Sequence, residues 1–176
     1  MTISKIKFYI DLENFGASKE VGPNQCNLYL IADNIIYPTK NYLGLPVIIL
    51  RWMLKELRLL VSRSNTKKER FIYFYPESNN YYIQFEMIDN EHLKIILFKR
   101  VIKKTPILHT FLSKDGKIEK TELYCTFNEF FKEVYENSLL VYDICSKAEV
   151  LNGDVLVLEQ QLISSKSLYN KIVKTI

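Results

Sequence analysis

The stretch that most constrains this chain is Leu45 to Ser62, LPVIILRWMLKELRLLVS. Pro46 stands where the first helical residue belongs: its fixed φ suits the helix, and its missing N–H is one the helix would leave unpaired anyway. From Val47 to Val61 the side chains are mostly apolar, while Arg51, Lys55, Arg58 and Ser62 recur at spacings of four, three and four. That period describes a helix with one narrow polar stripe and apolar surface on its other sides. It is shorter than the roughly 20 apolar residues that cross a bilayer, and it carries charge. The rest of the chain must therefore wrap it, and no membrane partner is expected.

A length of 176 residues fits a single globular domain over residues 1–176, able to bury roughly 70% of its extended-chain surface. No internal repeat, low-complexity tract or linker suggests a second domain. With only 5 Gly, a glycine-rich phosphate loop is not expected, whereas 12 Tyr and 10 Phe suit strands and binding surfaces. The net charge of +4 is read as a solvated surface, since a nucleic-acid binder concentrates its charge. Cys26, Cys125 and Cys145 are odd in number and form no CxxC pair, so they read as reduced, buried thiols of a cytoplasmic protein. Neither His92 nor His109 has zinc-ligand spacing with them, so no metal and no cofactor is expected. The first residues, MTISKIKFYIDLENF, lack the apolar core of a signal peptide.

Along the chain, Lys5–Leu12 and Asn27–Ile36 read as strands separated by a loop over Glu13–Cys26. Beyond the helix and a basic connector over Arg63–Arg70, alternating runs predict strands at Phe71–Tyr75, Tyr81–Ile88, Leu93–Ile102, Ile107–Leu112 and Ile118–Cys125. Turn signals lie between them at Pro76–Asn80, Asp89-Asn90, Lys104–Pro106 and Asp115-Gly116, the last suited to the positive φ of a type I′ hairpin. Short connections force antiparallel neighbours. Thr126-Phe127-Asn128-Glu129 is a capping box. It opens a helix to about Cys145, whose inner stripe is Phe127, Phe131, Val134, Ser138, Val141 and Cys145. After Asn152-Gly153, Asp154 is positioned to cap a last helix from Val155 to about Lys174. The expected fold class is α+β: an antiparallel β-meander sheet of about five to seven strands packed against two or three helices.

Catalytic constellations are scarce. Neither a Walker loop, GxSxG, HExxH nor a zinc-deaminase signature occurs, so no catalytic residue is assigned. His92 reads as a turn residue and His109 as a strand residue. Asp11, Glu13 and Asp33 are carboxylates without a nuclease arrangement around them. Lys99-Arg100 and Lys103-Lys104, with the strand tyrosines, form the basis of a nucleic-acid alternative. Strand alternation, however, sends Lys99 and Arg100 to opposite faces. The most informative surface feature is acidic: Glu119 and Glu122, then Glu129, Glu133 and Glu136 along a helix, with Tyr124 among them. Its plain reading is a solvated helix face with acid near the positive end of the macrodipole. Its functional reading is a docking surface for a basic partner.

One resemblance bears on the choice. Asp33…Tyr37-Pro38, then Gly44-Leu45-Pro46-Val47 and Leu50-Arg51-Trp52-Met53-Leu54, resemble the opening of a group of bacterial immunity proteins. These neutralise toxin domains of contact-dependent growth inhibition and related polymorphic toxin systems. The aromatic strands Phe71–Tyr75 and Tyr82–Phe85, the helix Phe127–Cys145 and the final helix are similar in layout over residues 28–165. Tyr75-Pro76-Glu77-Ser78-Asn79-Asn80 departs from the short Gly-Pro turn of that group, and the net positive charge departs from the acidic character of many nuclease-binding members. The resemblance implies a non-enzymatic protein that binds and sterically blocks the C-terminal domain of a cognate toxin. Glu119, Glu122, Glu129, Glu133, Glu136 and Tyr124 are the candidate contacts, and Tyr81 and Tyr82 are further aromatic candidates. A homodimer through the tyrosine-rich strands is a further expectation, and a nuclease or hydrolase is the third reading.

Overall fold

A computed structural model describes residues 2–18, 22–40, 42–62, 69–73, 81–101, 117–150 and 152–174, with backbone only at 69–73, 101 and 117. The elements run β1 (Ile6–Ile10), β2 (Ala17–Ser18), β3 (Gly22–Pro23), β4 (Cys26–Ala32), β5 (Ile35–Tyr37), β6 (Leu43–Gly44) and α1 (Pro46–Leu60). They continue with β7 (Glu69–Tyr73), β8 (Tyr81–Met87), β9 (His92–Val101), β10 (Lys117–Thr126), α2 (Phe127–Lys147) and α3 (Gly153–Val173). This is an α+β fold, and every described strand pair is antiparallel.

The expected meander is present as the sheet β10-β9-β8-β7, with four described strands in place of the five to seven expected in one sheet. A separate sheet, β1-β4-β5 with β6 on the end of β4, comes from the N-terminal part. The run Asn27–Ile36 is not one strand. It folds back at Asp33-Asn34, pairing Ala32 with Ile35 and Ile31 with Ile36. Asp33 takes φ 51° there, which Asp and Asn tolerate because their short polar side chains bond locally. The two sheets are stitched together by backbone and phenol. Ser4 N–H donates to the Tyr124 carbonyl at 2.7 Å. The Tyr37 hydroxyl lies 2.6 Å from the Phe98 carbonyl and 3.0 Å from that of Tyr82. The expected strand Ile107–Leu112 and the turns at Pro76–Asn80, Lys104–Pro106 and Asp115-Gly116 lie outside the described residues. β9 and β10 pair directly, Val101 opposite Lys117.

α1 is the centre, as its composition demands. Ile49, Leu50, Met53, Leu54 and Leu57 have no exposed surface, and the helix packs against α2, α3, β7 and β8. Leu45 caps it without a side-chain bond, and Pro46 opens it. The polar stripe is a seam. Arg51 Nη1 sits 2.6 Å from Asp154 Oδ1 of α3, and Arg58 Nη2 donates to Gln161 Oε1 at 3.4 Å. Lys55, between them, stays exposed. Asp154 is thus a partner for α1 and not the cap of α3. The cap is Asn152, whose Oδ1 accepts from Val155 N–H at 3.1 Å. The result is three layers: the sheets, then α1 and α2, then α3 across both helices.

Candidate functional site

The capping threonine sets the start of α2. Glu129 N–H donates to Thr126 Oγ1 at 3.4 Å, and the threonine hydroxyl donates to Glu129 Oε2 at 2.7 Å. From that start, residues 129, 133 and 136 rise along one flank of the helix beside β1. Glu133 is committed to the fold. Phe8 N–H, on β1, donates to its Oε1 at 2.8 Å, which satisfies a strand N–H that β4 does not reach. Glu136 accepts from the Tyr169 hydroxyl of α3 at 2.9 Å. Together Glu129, Glu133 and Glu136 line a cleft of about 240 Å³ with Ser4, Lys5, Lys132 and Cys125. At its floor, burial and then the nearby Glu129 push the Cys125 thiol up to about 12. A thiol held protonated is a poor nucleophile.

The three other predicted residues lie elsewhere. Strand alternation turns Leu123 and Cys125 inward, while Glu122 and Tyr124 sit on the outer face of β10. There Glu122 lies 3.2 Å from Lys94 and accepts from the Tyr124 hydroxyl at 3.0 Å. Lys94, then Tyr124, hold the Glu122 carboxyl below its ordinary range. The same carboxylate raises both Lys94 and Tyr124. Glu119 shares the face of Leu123 instead, stands opposite Lys99 in register, and is exposed. The six residues therefore occupy three places, and one place, the cleft, gathers three of them.

Among the remaining candidates, His92 opens β9 with Nδ1 2.8 Å from Asp89 Oδ2. The Glu91 N–H, followed by His92, holds the Asp89 carboxyl low. Asp11 braces its own loop by accepting from Asn14 Nδ2 at 2.8 Å. Among the described residues no group of three His, Cys, Asp or Glu is placed to hold a metal ion. Lys99 and Arg100 fall on opposite faces of β9, while Lys103, Lys104 and His109 lie outside the described residues. Tyr81 packs edge-on against Tyr37 and Tyr42 at 5.7 and 5.5 Å, and Tyr82 stacks on Phe98 at 4.4 Å, so both serve the sheet.

A second concavity, of about 410 Å³, runs between α2 and α3. Tyr135, Leu139, Tyr142, Ile163 and Tyr169 line it, with Glu159 and Lys166 at its edge. Periodicity carried the signal: Leu139 and Leu140 are apolar yet fall off the inner stripe of α2, and both are exposed.

Compared with known proteins, the chain matches no family model, no curated protein and no solved structure.

Proposed function

We propose that the protein is a cytoplasmic immunity protein that binds the C-terminal domain of a cognate bacterial toxin and blocks it by occupancy, without catalysis. The observation that carries this reading is the acidic cleft between β1 and α2. Glu129 and Glu136 rim a concave surface held between a helix and a strand that are themselves bonded together through Glu133. Its three carboxylates outnumber the two lysines, Lys5 and Lys132, that share the lining, so the cleft favours a basic side chain of a protein partner, and that charge would chiefly speed and select the encounter. The layout similarity to immunity proteins of polymorphic toxin systems supports the same reading. Steric blocking asks only for a rigid scaffold and a specific surface, and the α1-centred core supplies the rigidity.

The test is co-expression with the C-terminal domain encoded by the gene immediately upstream. The native chain should restore growth to cells making that domain. The E129K/E136K chain should fold, as judged by circular dichroism, yet protect poorly. Cells that die despite normal levels of the native chain would remove the proposal.

A further inference from the structure

We infer that α3 is a self-association surface: two copies of this chain pair antiparallel, α3 on α3, about a twofold axis passing beside Ile163. The exposed side of α3 carries Leu156, Ile163 and Asn170 at seven-residue intervals, with Glu159 and Lys166 filling the intervening three-residue steps. That spacing sets the five on one side of the helix, where the apolar Leu156 and Ile163 alternate with the oppositely charged Glu159 and Lys166. Ile163 is the most exposed large apolar residue described, at 68%, and Leu139 and Leu156 are 42% and 41% exposed. The tyrosine-lined groove between α2 and α3 opens directly at Ile163.

Charge decides both the occupant and its direction. Glu159 lies four residues before Ile163 and Lys166 three after it, both at the edge of that groove. When a second α3 runs antiparallel and centred on Ile163, Glu159 of each copy meets Lys166 of the other, and the two isoleucines meet at the axis. A parallel pairing would set Glu159 on Glu159 and Lys166 on Lys166, which is repulsive. The contact is thus self-complementary and closes as a dimer. Glu159 already accepts the Tyr142 hydroxyl through Oε1, and a carboxylate retains lone pairs on its second oxygen for a cross-dimer lysine. The cleft at Glu129 and Glu133 lies on a different, β1-facing flank of α2 and stays open in such a dimer.

Sedimentation equilibrium of the full chain over a range of concentrations tests this. The native protein should dimerise, and Ile163→Glu should weaken association about tenfold or more without changing the circular dichroism spectrum, because Ile163 contributes little to the core. Glu159→Lys and Lys166→Glu should each weaken association. The E159K/K166E double variant should recover most of it, since the swapped charges again face their opposites. The I163C chain should cross-link to a covalent dimer on mild oxidation, its three native thiols being buried. A native chain that stays monomeric at all concentrations would overturn the proposal, as would a dimer that ignores Ile163→Glu or a double variant no better than either single one. A monomer that instead captures a foreign protein through this groove also counts against it.

Discussion

Glu133 illustrates how a carboxylate in a cleft wall can be committed to the fold. Its Oε1 accepts the Phe8 N–H, and its own helix adds Asn137 Nδ2, 3.3 Å away. Deleting the carboxylate takes an acceptor from a partly buried strand N–H, a loss that costs about 1–3 kcal/mol. Glu133→Ala should lower the unfolding free energy by that amount in a denaturant titration, while Glu133→Gln, which keeps an amide oxygen, should lose much less. Equal losses would show that the bond to β1 is unimportant. The thiols define a second residue-level outcome. Burial lifts Cys26 to about 11 and Cys125 to about 12, whereas the unfolded chain ionises near 8.5. Above that value the unfolded state gives up protons that the folded state keeps, so stability is intact below about pH 8.5 and declines as pH rises through 11 to 12. The urea midpoint at pH 10.5 should therefore lie below that at pH 8, and alkylation of the native thiols at pH 8 should be slow.

Among the elements, α1 sets the hierarchy. Leu54 is fully buried and Lys55, its neighbour, is exposed. Leu54→Ala should cost about 2–5 kcal/mol through lost burial and the cavity left behind. Lys55→Ala should change stability by less than about 0.5 kcal/mol. Calorimetry that ranked the two changes alike would contradict a core organised around this helix. α1 was legible in the sequence because its apolar run is long and its Pro46 start is unambiguous. The α2 boundary was legible because Thr126 is followed three residues on by Glu129. Two local features were not. Asp33-Asn34 sits inside an apolar run that alternation alone continues as one strand, and only backbone pairing shows the hairpin. Asp154 and Asn152 are both good capping residues, and the cap fell to Asn152 while Arg51, distant in sequence, takes Asp154.

In the whole molecule, the sheets and helices separate the acidic residues that lie close together in sequence. Glu119, Glu122 and Tyr124 belong to two faces of β10, while Glu129, Glu133 and Glu136 gather at one cleft. The row was legible as a charge pattern, and alternation along β10 already parts Glu119 from Glu122 and Tyr124; what had no local signature was the packing of β1 beside α2 that closes the cleft around Glu129, Glu133 and Glu136. The α2–α3 groove is equally a product of two helices packing. The acidic cleft and the helical groove lie on neighbouring flanks of α2, linked where Glu136 accepts from Tyr169; the proposed toxin contact falls on the first and the proposed second copy on the other.

The most direct measurement is a titration of the purified chain into the active toxin domain, following toxin activity against molar ratio. An immunity protein that works by occupancy should abolish activity linearly, reaching completion at one chain per toxin domain, with activity returning when the complex is separated. Loss of toxin activity at a small fraction of that ratio, with the toxin left covalently altered, would mean turnover and would contradict a mechanism of binding alone.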